Sequence, residues 1–284
     1  MAFVTLATVW RIGHAETTVC PLAPRAALRK RAHMPQHEGQ TVVVTGGASG
    51  IGREIARRFG AAGANVVVAD IDEIGAKTVV GELSTPGRAV HCDVSDPESV
   101  QSAIKLAVNE FGRLDVMVNN AGVCALGPLH LLGDADFDRM IAVNLKGTFH
   151  GIRAAAGHMP DGGAIVNIAS TAGLNGAPLL GGYGATKAGI VNMTKTAAAE
   201  LRPLGIRVNA VCPALVETPF SDALITGFEA ATGASAETYF SEKQGRIGRP
   251  EDIAGVVLHL ASGDADWVTG IAYAVDGGLL AASI

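Results

Sequence analysis

Tyr183 and Lys187, in the run Tyr-Gly-Ala-Thr-Lys, are four residues apart, so on a helix their side chains lie on one face. Free tyrosine has a pKa of about 10 and is a poor base at neutral pH. A neighbouring ammonium group stabilises the phenolate, which lowers that pKa towards neutrality. The pair is therefore a candidate acid and base for a hydroxyl or carbonyl group. The alternative is two exposed side chains on a solvated helix.

Ser170 closes an apolar run at 164–170 (AIVNIAS), shortly before the tyrosine. Its hydroxyl can donate a hydrogen bond to a substrate oxygen. A serine at the end of a strand can also serve as a cap for the backbone that follows. The sequence thus offers a third candidate for the same chemistry.

A glycine-rich loop runs from Thr45 to Gly52 (TGGASGIG), directly after an apolar run and before a helical stretch. Glycines allow a tight turn and a close approach of the backbone to a pyrophosphate. The free amides and the dipole at a helix N-terminus favour an anion there. The loop therefore predicts a dinucleotide site, and a purely structural turn is the alternative.

Asp70 ends the second apolar run, eighteen residues after Gly52. An acidic residue at this place can accept hydrogen bonds from the adenosine ribose hydroxyls. It would repel a 2′-phosphate, so NAD is favoured over NADP. A helix N-cap is the alternative role for Asp70.

Seven short apolar runs alternate with longer helical stretches from residue 40 onwards. The runs are at 41–45, 65–70, 88–93, 115–119, 164–170, 207–212 and 271–275. Most are continuously apolar, which is typical of parallel strands buried on both faces. The helical stretches are at about 51–62, 73–84, 97–111, 134–157, 183–202 and 250–262. We predict an α/β fold: a Rossmann-type doubly wound parallel sheet of about seven strands, flanked by helices on both faces.

The charge distribution excludes several classes of partner. Residues 1–40 carry five basic and two acidic side chains, and the remainder carries 17 basic and 25 acidic ones. An acidic body without a basic stripe argues against nucleic acid. No apolar run reaches the roughly 18–20 residues that a membrane span needs. The four cysteines are scattered and form no C-x-x-C pair, so no metal site or disulfide framework is indicated, and a reducing cytoplasm is the simplest compartment.

Residues 1–38 are predicted to lie outside the fold, as a flexible N-terminal extension, and residues 39–284 form a single domain. Residues 11–37 contain arginines and few acids, as transit peptides do, but they also contain three prolines and little periodicity. A working start at Met34 is a further alternative.

The motifs together resemble the short-chain dehydrogenase/reductase family. Four motifs occur in the family's order: T-G-x-x-x-G-x-G, the run Asn119-Asn120-Ala121-Gly122, the serine and Y-x-x-x-K. Asn144 lies where the family places its catalytic asparagine. The resemblance covers residues 40–278 and implies interconversion of a secondary alcohol and a ketone. It implies that the serine positions the substrate, the tyrosine transfers the proton and the lysine also holds the nicotinamide ribose. Asn144 would hold a water that links the lysine to solvent, or satisfy a helix bulge.

The resemblance also implies a set of cofactor-binding residues along the chain. They are Gly46, Ser49, Gly50, Ile51, Gly52, Asp70, Asp93, Val94, Asn119, Ala121, Gly122, Tyr183, Lys187, Pro213, Val216 and Thr218. One departure occurs: the family usually has Pro-Gly where this chain has Pro213-Ala214. If position 214 needed a positive φ, alanine would be strained there.

Residues 214–241 match the family's variable substrate lid. The segment is rich in Leu, Ile, Phe and Tyr and contains no Lys or Arg. Binding of a phosphate, carboxylate or carrier arm would normally call for a cation. We therefore expect the substrate to be a neutral, fairly apolar alcohol or ketone, and Leu126, Leu174 and Leu179 to add to the apolar wall of its site. The alternative is that the apolar side chains of the lid only pack the lid itself. Cys124, just beyond the Asn-Asn-Ala-Gly run, is expected to be a small buried thiol.

Two other functions compete with this hypothesis. An NADPH-dependent 3-oxoacyl carrier reductase is the common activity for this pattern, and a nonenzymatic dinucleotide sensor is the second. Asp70 and the lid without cations argue against the first, and the intact tyrosine–lysine pair argues against the second. The family is commonly tetrameric through the helices near 134–157 and 183–202 and the C-terminal strand, so a homotetramer is expected.

Overall fold

The apolar runs become the strands of one sheet. The computed structural model describes residues 36–159 and 162–281. The strands in this part of the chain are β1 (Thr41–Thr45), β2 (Asn65–Asp70), β3 (Gly87–His91), β4 (Val116–Asn119), β5 (Gly163–Ile168), β6 (Ile206–Pro213) and β7 (Ala272–Val275). They form a seven-stranded sheet in the order β3-β2-β1-β4-β5-β6-β7. Every neighbouring pair is parallel, so the predicted doubly wound sheet is confirmed.

The helices that join the strands cover both faces of the sheet. They are α1 (Gly50–Ala61), α2 (Glu73–Gly81), α3 (Pro97–Phe111), α4 (Asp134–Met140), α5 (Gly147–Ala156), α6 (Gly181–Leu201), α7 (Pro219–Thr232), α8 (Ala236–Gln244) and α9 (Pro250–Ala261). A π-helical turn, Ile141–Lys146, separates α4 from α5. The stretch predicted as one helix at 134–157 is therefore three consecutive segments, and α7 and α8 were not predicted.

Two apolar layers hold the helices on the sheet. Val42 and Val44 of β1 pack on one side with α1 and α9, around Phe59 and Ile253. Val43, between them in sequence, packs on the other side with α3, α5 and α6. Side chains of a strand alternate between the two faces, so a continuously apolar run supplies both layers.

Two strands end earlier than predicted because polar side chains bend the chain. β3 stops at His91, and Asp93 Oδ1 accepts hydrogen bonds from the backbone N–H and the hydroxyl of Ser95. β5 stops at Ile168, so Ser170 lies two residues beyond the strand, where its hydroxyl oxygen accepts a hydrogen bond from Ala172 N at 3.2 Å. Both residues therefore lie in loops at the carboxyl edge of the sheet.

The described part of the chain begins slightly before the predicted domain boundary at residue 39. His37 is fully buried, its ring meets that of Phe59 edge-on with centroids 4.8 Å apart, and its backbone N–H donates to Ala62 O. Residues 36–38 thus pack on the domain. The expectations for residues 1–35, including the start at Met34 and the transit-like segment, lie outside the described residues.

Across 36–159 and 162–281, no helix is long and apolar enough to span a bilayer. Within the same ranges, no group of three or more His, Cys, Asp or Glu side chains is arranged to hold a metal ion.

Candidate active site

The candidate active site lies where the strand order reverses. β1 and β4 are neighbours, but the chain leaves them towards opposite sides of the sheet, which opens a crevice at their carboxyl ends. A cavity of about 1160 Å³ occupies this crevice. Fifteen of the predicted site residues line it: Gly46, Ser49, Gly50, Ile51, Asp70, Asp93, Val94, Ala121, Gly122, Ser170, Tyr183, Lys187, Pro213, Val216 and Thr218.

The glycine loop forms the floor of one end of the cavity. Gly46 and Gly50 have φ values of +62° and +52°, a conformation that glycine adopts without a steric cost. Gly52 does not line the cavity but packs behind the loop, where an added Cβ would clash with Gly46 O. The amide nitrogen of Asn120 donates to Thr45 O and Gly46 O at 3.0 and 2.9 Å, which fixes the loop.

The start of α1 fits an anionic group. Its N-cap residue, Ser49, makes no side-chain capping bond, and its first turn carries no acidic residue. The first amides of the helix therefore keep their capacity to donate, and the helix dipole adds positive character. A dinucleotide pyrophosphate suits this place by charge and by the space that the glycines leave.

Asp70 stands at the edge of the same loop. Its Oδ2 accepts from Ala48 N and its Oδ1 from Asp72 N, both at 2.9 Å. The N-cap of α2 is Asp72, whose side chain accepts from Gly75 N, so the alternative role of Asp70 as that cap is wrong. The carboxylate is thus held rigidly beside the glycine loop, with further lone pairs available to a ribose hydroxyl.

Asn119 is placed differently from expectation. Its side chain is buried, does not line the cavity, and donates to Asn167 Oδ1 at 2.8 Å; Asn167 in turn donates to Thr194 Oγ1 of α6. This chain of hydrogen bonds ties β4 and β5 to α6. The next residue, Asn120, is the one that lines the cavity, because successive side chains leave the strand end in opposite directions.

The predicted catalytic group comes together at the other end of the cavity. Tyr183 and Lys187 lie on one face of α6, and Lys187 Nζ is 5.5 Å from the centre of the tyrosine ring. Lys187 Nζ donates to Ile168 O at 2.8 Å, and the tyrosine hydroxyl forms a hydrogen bond with Ser170. Ile168 is the last residue of β5 and Ser170 follows it by two residues, so the same strand end positions both partners.

Burial shifts the pKa of Tyr183 in the direction opposite to the one expected from sequence. Tyr183 is almost completely buried, and loss of solvent raises its pKa well above 10; the hydrogen bond from Ser170 opposes this shift. The expected lowering of the pKa by the ammonium is therefore not found in this structure. Burial also lowers the pKa of Lys187 from 10.5 to about 8.

The buried ammonium of Lys187 costs stability, so we expect Lys187→Met to stabilise the protein while it abolishes activity. The pKa drop from 10.5 to about 8 corresponds to roughly 3 kcal/mol of unfavourable charge burial. Loss of the hydrogen bond to Ile168 O reduces the gain in the free energy of unfolding by about 1 kcal/mol. Urea unfolding at pH 7 without cofactor should therefore show a gain of roughly 2 kcal/mol.

A matched control is available on the same helix. Lys195 is exposed, so Lys195→Met should change neither stability nor activity appreciably. The unfolded chain holds its Lys187 proton more tightly than the folded chain does, so wild type should gain stability relative to Lys187→Met as pH rises from about 8 to 10.5. Equal stability of the two proteins at all pH values would contradict the assigned cost.

Asn144 lies in the π-helical turn and is fully buried. Its amide nitrogen donates to Val123 O and Thr186 Oγ1 at 2.9 and 3.0 Å, and its Oδ1 accepts from Val123 N at 2.8 Å. The side chain does not line the cavity. It joins the loop after β4 to α6, beside Tyr183 and Lys187, and its hydrogen bonds are not made to the backbone of the π-helical turn itself.

The lid consists of α7 and α8 and extends beyond the predicted end at residue 241. Thr218 and Ser221 form a capping box at the start of α7, and Gln244 Nε2 at the end of α8 donates to Leu215 O at 2.9 Å. Phe220 approaches the ring of Tyr183, with centroids 6.1 Å apart. Ala214 has no positive φ, so the departure from Pro-Gly causes no strain.

A family model described as enoyl-(acyl carrier protein) reductase matches residues 46–280. The chain belongs to the short-chain dehydrogenase/reductase family. This match covers the glycine loop from Gly46 onwards, the catalytic group and the lid. The family's enzymes use NAD(P) and act on CH–OH groups and ketones.

Individual members of the short-chain dehydrogenase/reductase family are similar to this chain over most of their length. The 3-alpha-(or 20-beta)-hydroxysteroid dehydrogenase of Mycobacterium tuberculosis is 39% identical over 245 residues, which are 86% of this chain and 90% of that protein. The 3-oxoacyl-[acyl-carrier-protein] reductase of Thermotoga maritima is 38% identical, over 86% and 98%. The crystal structure of levodione reductase superposes with a TM-score of 0.82 at 32% identity, over 86% and 99%.

Sequence reasoning on this short-chain dehydrogenase/reductase missed several lining residues. Arg139 of α4 reaches both the main cavity and a smaller groove that Cys124 also lines, and Leu279 and Leu280 come from the C-terminal segment. Of the expected apolar wall, Leu126 and Leu179 line the main cavity and Leu174 does not. Cys124 is partly buried, and burial raises the pKa of its thiol to about 11. No motif marks Arg139, so only its place on α4 reveals it.

Proposed function

We propose that this enzyme is an NAD-dependent oxidoreductase that interconverts a neutral, fairly apolar secondary alcohol and its ketone. The observation that carries the proposal is one cavity with Ser170, Tyr183 and Lys187 at one end and Asp70 at the other. The first group handles the proton and the substrate oxygen, and the second selects the dinucleotide.

Each catalytic side chain has a separate task in this proposal. During oxidation the phenolate form of Tyr183 takes the hydroxyl proton and becomes the phenol, and during reduction the phenol gives its proton to the substrate oxygen and becomes the phenolate. Ser170 donates a hydrogen bond to the same substrate oxygen. Lys187 places a positive charge next to the tyrosine and provides a donor for the nicotinamide ribose. Asn144 positions α6 through Thr186 and holds the water that links Lys187 to solvent. When bound, the nicotinamide supplies the hydride acceptor or donor.

The two ends of the dinucleotide have separate supports. The pyrophosphate is assigned to the glycine loop and the start of α1, and the adenosine ribose to Asp70. Asp93 and Val94 line the cavity beyond Asp70 and are assigned to the adenine. Asn119 does not line the cavity, so only its backbone is assigned to the adenosine side. The carboxylate of Asp70 disfavours a 2′-phosphate, which supports NAD.

The substrate end is walled mainly by apolar side chains of the lid. Leu215, Phe220, Leu224, Phe228, Tyr239 and Phe240 line it, while Ile225 does not. Phe228, Tyr239 and Phe240 form one aromatic cluster with centroids 5.1 to 5.6 Å apart. Such a wall favours burial of an apolar substrate body, and the name of the mycobacterial relative points to a polycyclic alcohol.

An NADPH-dependent 3-oxoacyl carrier reductase is the second candidate. Arg139 at the cavity has no hydrogen bond or ion pair within residues 36–159 and 162–281, and a guanidinium is suited to a phosphate of a carrier arm. The relative from Thermotoga maritima is named as a 3-oxoacyl-[acyl-carrier-protein] reductase. Asp70 opposes the 2′-phosphate of NADPH, which is why this candidate ranks second.

Turnover of a panel of substrates separates the candidates. We expect a change in nicotinamide absorbance with NAD(H) and neutral ketones or alcohols of the bulk of a steroid or an aryl alcohol. Faster turnover of 3-oxoacyl thioesters with NADPH would reject the first proposal in favour of the second. Dinucleotide binding in calorimetry without turnover of any panel member would favour a sensor.

We further propose a cytoplasmic homotetramer that uses α4–α6 and the β7 edge. Phe149 on α5 is exposed, with the guanidinium of Arg153 4.9 Å from its ring centre, and Tyr273 on β7 is exposed as well. Trp267, shortly before β7, is 95% exposed. Exposed aromatic side chains on these elements support association of copies. Cys92, Cys124 and Cys212 are free thiols, in keeping with a reducing compartment.

A further inference from the structure

Leu179 has a backbone conformation that a leucine rarely adopts. Its φ is +67°, and among residues 36–159 and 162–281 it is the one non-glycine residue with a positive φ. For an L-residue with a bulky side chain, this left-handed region brings Cβ close to the following carbonyl oxygen. Glycine would take the same conformation without that clash. An unfavourable conformation that persists points to a role for the side chain.

The backbone around Leu179 is held from two sides. Leu179 O accepts from Gly127 N at 3.0 Å, which ties the segment to the loop after β4. Leu180 is the N-cap of α6, and its carbonyl oxygen accepts from Gly184 N at 2.6 Å. These bonds explain why the chain must turn here. They do not require a leucine side chain, because they involve only backbone atoms.

Leu179 lines the cavity, four residues before Tyr183. Pro178 and Leu180 line the cavity beside it, and Leu126 lines it from the loop to which Leu179 is bonded. Leu174, in the same connection between β5 and α6, is exposed and lies outside the cavity. The leucine that carries the unfavourable backbone is therefore one that can reach a substrate.

We propose that Leu179 determines substrate specificity by packing against the apolar body of the alcohol or ketone next to Tyr183. The inference rests on the proposed function and adds a named contact to it. A small ketone has no such body and gains nothing from this contact. Loss of the side chain should therefore weaken discrimination between bulky and small substrates rather than the chemistry itself.

The test compares Leu179→Ala and Leu179→Gly with wild type, on a steroid-sized ketone and a small aliphatic ketone. For the bulky ketone we expect kcat/KM of both variants to fall by about tenfold or more, mainly because KM rises. For the small ketone we expect kcat/KM to stay within about threefold of the wild-type value. Leu179→Met keeps a flexible apolar chain and should retain the wild-type ratio. Leu174→Ala is the control for a leucine of this connection outside the cavity, and its ratio should not change.

Thermal unfolding gives a second readout, independent of turnover. Leu179→Gly relieves the backbone and should melt no lower than Leu179→Ala, which keeps a Cβ in the left-handed region. An unchanged substrate ratio in both variants, or an equal loss for both ketones, would overturn the proposal and leave Leu179 a structural turn residue. Absence of any wild-type turnover across the panel would instead refute the proposed function.

Discussion

Tyr183→Phe should lower kcat/KM by about 1,000-fold in both directions of the reaction, with dinucleotide binding retained. The change removes one oxygen atom, the only group of Tyr183 that can carry the proton, and general acid–base catalysis typically contributes 10² to 10⁴-fold. The ring remains to pack against Phe220, so the cavity keeps its shape. Nicotinamide absorbance reports the rate, and calorimetric titration with NAD reports binding.

The burial of Tyr183 sharpens this expectation. Because burial raises its pKa, the free phenol stays protonated at neutral pH, and proton transfer depends on the neighbouring Ser170 and Lys187. Tyr273→Phe is the matched control: the same atom is removed from an exposed tyrosine on β7, outside the cavity. If Tyr183→Phe kept more than about a tenth of the activity, another group would be the proton donor.

The sheet could be predicted from sequence because each strand is a short apolar run between polar turns. The parallel direction of the strands follows from the alternation with helices and the right-handed crossover. The order of the strands along the sheet was not predicted. The helices α7 and α8 were not predicted, since their apolar side chains serve the cavity as well as their own packing, which obscures a helical period. The π-helical turn at Ile141–Lys146 leaves no mark in the sequence, because it differs from an α-helix only in its hydrogen-bond spacing.

The candidate site was predictable where a local motif fixes its geometry. The glycine loop, Asp70 and the pair on α6 lie within single turns or at the ends of strands, so spacing alone places them. Asn119 and Arg139 depend on contacts distant in sequence: Asn119 reaches across to Asn167, and Arg139 joins the cavity from α4. The pKa of Tyr183 likewise depends on tertiary burial, which no four-residue spacing contains.

Asp70→Asn should shift the preference between NAD and NADP by about 100-fold towards NADP. A hydrogen bond to a charged acceptor contributes about 1.5–3 kcal/mol, so the affinity for the ribose hydroxyls falls when the carboxylate becomes an amide. Removal of the charge also ends the repulsion of a 2′-phosphate, which at about 4 Å and an intermediate dielectric is worth several kcal/mol. The ratio of kcat/KM for the two cofactors measures the shift directly.

Asp72→Asn is the control that separates this effect from a general change in charge. Asp72 lies two residues away, caps α2 through Gly75 N, and does not line the cavity. It should leave the cofactor ratio within about threefold of wild type. Asp70 also accepts from Ala48 N, so Asp70→Asn should melt somewhat lower without cofactor. The carboxylate does not select the dinucleotide if the wild type prefers NADP, or if Asp70→Asn folds normally and keeps the wild-type cofactor ratio. The argument for a carrier reductase would then depend on Arg139.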